Sequence, residues 1–121
     1  MEQLILEYIR RREYASLAEF CRDIAGFSGS QRLFISEHPS LVVWVGVSPE
    51  AAKALKNLLL KQHAYMYDSD PAAYYADGMR LNLDTTKRLI TYKTDRWFPV
   101  TFTSRKNKSI RSLAHVHLSS S

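Results

Sequence analysis

Apolar residues recur at helical spacing at Leu4, Ile5, Tyr8 and Ile9. They predict a first helix over residues 2 to 13, closed by Arg10, Arg11 and Arg12, cations that suit the carbonyl end of a helix. Leu17, Phe20 and Ile24 repeat the pattern. Ser16 and Glu19 have the spacing of a capping box, in which each side chain satisfies the other's backbone donor, and Gly26 can stop the helix in a left-handed conformation. A second helix is therefore expected from about Leu17 to Ala25. In the stretch from Phe27 to Ser40, Ser28, Gly29 and Ser30 read as a loop, Leu33, Phe34 and Ile35 as a short buried turn or helix, and Pro39 as its end. Leu41 to Val47 is β-branched and apolar at both parities, the pattern of a short strand covered on both sides. Ser48 can accept from free helix amides and Pro49 suits the first helical position, so Ala52, Leu55, Leu58 and Leu59 become the buried stripe of a third helix, Pro49 to Gln62.

Beyond that helix the period shortens to two. His63 to Tyr67, Ala72 to Tyr75 and Met79 to Leu83 read as strands of an antiparallel meander, with turns at Asp68-Ser69-Asp70-Pro71 and Asp77-Gly78. Arg88 to Tyr92 and Trp97 to Thr103 read as two more strands, the second broken by Pro99 as a sheet edge tolerates. The pattern predicts an α+β domain over residues 1 to 103, three helices with a small antiparallel sheet, followed by a flexible basic tail from 104 to 121.

With 121 residues the chain is one domain by length, large enough to fold on its own core. Its single cysteine, Cys21, has no internal partner for a disulfide and lies among apolar neighbours, which fits a small core side chain in a reducing compartment. The amino terminus lacks a basic stretch followed by an apolar block, and the longest apolar run is too short to cross a bilayer, so the expected location is the cytoplasm.

Charge changes the picture. Residues 1 to 95 balance twelve Lys/Arg against twelve Asp/Glu, whereas Arg96, Arg105, Lys106, Lys108 and Arg111 have no acidic side chain after them or between them. All of the formal charge of +5 thus lies in the last 26 residues. A basic arm on a near-neutral body suits loose contact with a polyanion. The outer face of the third helix adds Lys53, Lys56, Asn57 and Lys61, interrupted by Leu60; lysine can reach phosphates and asparagine base edges. The alternative for this face is an ordinary solvated surface, and Leu60 could mark a protein contact.

The order helix, helix, capped helix, hairpin resembles the winged helix-turn-helix family over about residues 3 to 76. The resemblance implies that Lys53, Lys56, Asn57 and Lys61 lie on a recognition helix and Asp68 to Pro71 at a wing tip. It departs from the family in the long Phe27 to Val47 separation and in the two wing aspartates. A fainter string, from His38-Pro39 and Trp44 through Gly46-Val47-Ser48, Ala76-Asp77-Gly78, Leu81-Asn82-Leu83 and Tyr92-Lys93 to Trp97 and Pro99-Val100, resembles small uncharacterised cyanobacterial proteins and implies no function.

Candidate chemistry is sparse. His115-Val116-His117 could present two imidazoles to one metal, and with a tyrosine such a pair resembles rolling-circle nucleases, but it lies in a polar tail without a nearby acid. Asp68 and Asp70 suit a solvated turn. A phosphate loop, a nucleophile elbow and a zinc cysteine pair are all missing. Of Tyr74 and Tyr75, one must face outward, where it could stack on a base. The expected function is non-enzymatic: a small regulator or accessory factor, without cofactor or metal, binding duplex DNA through Lys53, Lys56, Asn57 and Lys61 and through Arg105, Lys106, Lys108 and Arg111 of the arm, possible as a homodimer on paired half-sites. The alternative is a winged-helix module for dimerisation or docking that makes no direct DNA contact.

Overall fold

A computed structural model describes residues 1–111 and 113–121 as an α+β fold. Its described elements are α1 (Glu2–Arg11), β1 (Ala15–Ser16), α2 (Leu17–Asp23), β2 (Ser28–Ile35), β3 (His38–Val47), α3 (Pro49–Leu60), β4 (Tyr65–Asp68), α4 (Ala72–Tyr75), β5 (Arg96–Trp97), β6 (Val100–Thr103) and β7 (Leu118–Ser120). They form two sheets, one ordered β1-β6-β4 and the other β5-β3-β2-β7. All pairings are antiparallel except β3 with β5, which is parallel.

The helix signals in the first half translate directly into geometry. Ser16 Oγ accepts from the Glu19 N–H at 3.1 Å while Glu19 receives the Ser16 N–H, completing the capping box. Gly26 takes φ +81° just past α2. Ser48 Oγ accepts from the Ala51 N–H at 3.1 Å and donates to the Gly26 carbonyl at 2.8 Å, so one hydroxyl starts α3 and ties it to the end of α2. The buried stripe of α1 is Ile5, Leu6 and Ile9, with Leu4 turned half outward. That rotation brings α1 against α3 and β6.

Phe27 to Ser40 is corrected. It is not a loop and a short helix: β2 and the start of β3 form a hairpin turning at Ser36 and Glu37. The strand was hard to read because bulges interrupt its register and its first three residues are exposed. Gly29 is required there, since a Cβ would fall 2.5 Å from the Ser48 Cα. The expectation for Leu41 to Val47 holds in part within the longer β3: Leu41, Val42, Val43 and Trp44 are buried in succession, but Val45 is half exposed.

The meander after α3 is also corrected. The segment at Ala72 to Tyr75 is the short helix α4, a fourth helix where three were expected. Asp70 Oδ1 accepts the Ala72 N–H at 2.9 Å, and Pro71 begins the turn, so the Asp-Pro pair starts a helix here rather than a hairpin. Met79 to Leu83 and Arg88 to Tyr92 are not strands. Tyr92 is held instead by its N–H to Ser40 Oγ at 3.0 Å and by its hydroxyl at Thr86 Oγ1, 2.7 Å away. Trp97 to Thr103 divides at Pro99 into β5 and β6, which belong to different sheets. The hairpin therefore precedes α3, and β4 pairs with the distant β6 rather than with the residues that follow it.

The segment expected to leave the body at Thr103 returns to it. Leu113, Val116 and Leu118 are buried, and β7 pairs with β2 through Leu33 with Ser120, Phe34 with Ser119 and Ile35 with Leu118. Glu37 at the hairpin turn accepts the His117 N–H at 3.0 Å and faces its Nδ1 at 2.6 Å. The backbone N–H of His117, and secondarily its ring, lower the Glu37 carboxyl from 4.5 to about 2. A depressed carboxylate stabilises the fold fully above its unfolded value and loses that contribution as pH falls through its folded value. The melting-temperature difference between the wild type and Glu37→Gln is expected to shrink as pH falls below about 4.5 and to be lost below about pH 2. Its size is expected to be small because the carboxylate is partly solvated.

Candidate nucleic-acid interface

The eight cations and amides expected to meet DNA do not form one surface. On α3, Lys53 is exposed. Lys56 donates to Ser120 Oγ at 2.7 Å, which ties the helix to β7. Asn57 Nδ2 donates to Glu2 Oε2 at 3.1 Å, and Lys61 Nζ lies 3.4 Å from Glu2 Oε1. These contacts lower the Glu2 carboxyl, the Asn57 hydrogen bond most. The polar face of α3 is thus divided, with one edge engaged by α1 and another by β7. A recognition helix needs its reading residues clear of such partners.

The segment after β6 is held in place by its backbone. Thr103 Oγ1 donates to the Arg105 carbonyl at 2.7 Å, the Ser104 N–H donates to Glu13 at 2.9 Å, and the Asn107 N–H donates to the Tyr67 hydroxyl at 2.6 Å. Asn107 Nδ2 also donates to the Tyr14 hydroxyl at 2.6 Å. Arg105, Lys106 and Lys108 remain exposed on this fixed loop. Arg111 is drawn elsewhere: it donates to the Lys87 carbonyl at 3.1 Å and lies 3.5 Å from Asp68 Oδ2.

Two neighbouring depressions organise the exposed cations. One is lined by Arg10, Glu13, His63, Ser104 and Arg105. In it the Glu13 carboxylate is already occupied by Ser104, which also donates its hydroxyl to Glu13. The other has Lys56, Gln62, Lys106 and His117 among its lining residues. Arg105 and Lys106 are consecutive, as are Gln62 and His63, so two chain segments contribute to both depressions, and together these make up the basic strip. Sequence reasoning selected Arg105 and Lys106, gave Arg10 to Arg12 only the role of closing the first helix, and missed His63. Nothing local marks His63; it joins the strip through the turn after α3, where Gln62 adopts φ 58°.

The remaining arginines of the first helix have other roles. Arg12 pairs with the buried Glu19 at 3.1 Å, and Arg11 stands 5.9 Å from the Tyr8 ring. Tyr8 donates to Asp23, and burial pushes its hydroxyl up to about 12. Of the tyrosine pair, Tyr74 is wholly buried and Tyr75 half exposed beside Arg80. His115 is exposed, whereas His117 faces Glu37. Among the described residues no group of three His, Cys, Asp or Glu side chains is placed to hold a metal. Cys21 is half-buried against the core, and burial pushes its thiol up. Among the described residues no helix is long and apolar enough to cross a membrane. No family model matches the chain, and no curated protein or solved structure is significantly similar to it.

Proposed function

We propose that this protein is a non-enzymatic DNA-binding accessory factor that holds the duplex backbone through the strip of Arg10, His63, Arg105, Lys106 and Lys108. The observation that carries this reading is the meeting of Arg10 and Arg105, far apart in sequence, in one depression beside Lys106. A fixed loop loses less conformational freedom on binding than a loose arm, so its cations contact phosphates at lower entropic cost. Lys53 would add a peripheral contact from α3. The contacts are to phosphates and carry no sequence information directly, so the binding is expected to be nonspecific and steeply salt-dependent. The reading rests on charge placement and does not require winged-helix docking.

Replacing Arg105, Lys106 and Lys108 together with glutamine tests it by fluorescence anisotropy of a labelled random duplex across a salt series. Substitution is preferable to truncation at Thr103, which would also remove β7. If each of the three cations meets a phosphate, the variant's log-log salt slope should be shallower by about 2.7. An unchanged slope in a folded variant would sink the proposed contact surface. A second reading, protein docking without DNA, is favoured by Leu60, which is 69% exposed at the end of α3. Absence of duplex binding by the wild type at low salt would select it.

A further inference from the structure

The second of the two depressions, which shares Lys106 with the basic strip, is a pocket of about 250 Å³ whose apolar interior the DNA reading does not use. It opens where α3, β4 and the returning segment 113–118 meet. Leu59, Ala64, Met66, Leu113, Val116 and Leu118 supply apolar walls, while Lys56, Lys106, Gln62 and His117, together with Tyr65 and Tyr67, bring polar groups to its lining. No Asp or Glu is among its lining residues. Three features distinguish it from an ordinary packing gap. Its volume is well above that of the engineered apolar cavity of about 150 Å³ that accepts benzene. Its walls come from buried side chains already fixed by the core, including Ala64, Met66 and Leu113. Its charged lining side chains are of one sign, and Lys56 is oriented by its bond to Ser120.

The geometry points to a binding site for a small amphipathic monocarboxylate, with an apolar body of about ten carbons or fewer inside the cavity and the carboxylate at Lys106 and Lys56. Apolar enclosure would supply most of the attraction, and a few fixed polar groups would set the orientation, as in small-ligand sites generally. A neutral apolar molecule would leave the Lys56 ammonium with only the Ser120 hydroxyl and Lys106 with solvent. A dicarboxylate would have to bury its second charge against leucine and methionine, which is costly. The charge complementarity therefore selects one anionic head on one apolar body.

Isothermal titration of the full chain with decanoate below its micellar concentration, in the absence of DNA, tests the site independently of the nucleic-acid reading. Decanoate is expected to bind saturably with one-to-one stoichiometry, and decan-1-ol at least tenfold more weakly. Lys106→Glu, at an exposed position that should not disturb folding, is expected to weaken decanoate at least tenfold while leaving decan-1-ol nearly unchanged. Ala64→Leu, which reduces the cavity, should weaken both ligands. Failure of decanoate to bind the wild type would overturn the proposal. So would binding that a folded Lys106→Glu variant leaves unaltered, because the carboxylate would then sit elsewhere.

Discussion

Replacing Trp97 with alanine is expected to cost about 3–5 kcal/mol, the range for deleting a fully buried large aromatic side chain. The side chain has no exposed surface and packs among Trp44, Tyr74 and Tyr75, with ring centroids 6.0, 5.2 and 6.4 Å away. Alanine keeps the backbone bonds of this position, so the expected loss is that of the ring packing. The Trp97 N–H donates to the Asp84 carbonyl at 2.8 Å, and its carbonyl accepts the Thr86 N–H at 3.0 Å, so this residue fastens the irregular segment 76–95 to β3. A domain whose total stability is on the order of 5–15 kcal/mol would lose a large share of it. Trp97→Phe should cost much less, because the indole Nε1 makes no hydrogen bond among the described residues and most of the ring packing survives. Urea denaturation of the three proteins checks this. Equal midpoints for the alanine variant and the wild type would mean that the aromatic cluster does not hold the segment.

The second large effect concerns charge. Arg105→Glu with Lys106→Glu is expected to weaken duplex binding on the order of fifty-fold at 0.1 M salt, since each lost phosphate contact removes roughly 0.9 logarithmic units there. Both side chains are exposed, so the thermal midpoint should move little. Lys53→Glu provides the contrast. If α3 enters the groove as a recognition helix would, this substitution should match the double reversal; if the loop after β6 is the contact surface, it should cost only a few-fold. Lys56 is less suitable for the comparison because its bond to Ser120 couples it to β7. Anisotropy titrations of the two variants in parallel separate the models, and equal losses would return the contact to α3.

The helical half was legible because its signals are local. The Ser16–Glu19 box and the Ser48–Pro49 start act over one turn of chain, and both appear with the hydrogen bonds their spacing implies. The second half misled for the opposite reason. Alternating apolar residues at Ala72 to Tyr75 fit a strand equally well, but Tyr74 donates to the Val100 carbonyl at 2.7 Å and accepts the Leu17 N–H at 3.2 Å. Two partners from distant segments fix that residue, and neither is visible in a window of four residues. Trp97 and its neighbour Phe98 are both wholly buried, as is Phe102, which alternation of faces along one strand would not give.

The candidate site divides along the same line. Charge composition alone identified Arg105, Lys106, Lys108 and Arg111 as surplus cations. It could not tell that Arg111 would turn to Asp68 while Arg105 joined Arg10, nor that Glu2 would engage Asn57 and Lys61. The Glu2 contacts depend on the packing of α1 against α3, between residues more than fifty positions apart, and the other two on how the segment after β6 lies against the body. The sequence by itself determined the caps, the helix starts, the buried β3 and the charge imbalance, because each arises from interactions within a few residues or from simple counting. Only the tertiary structure decided the strand partners, the return of β7 onto β2, the meeting of Arg10 with Arg105 and the pocket lined by Lys56 and Lys106. Each of these is a meeting of distant segments, and burial of the shared core selects which segments meet.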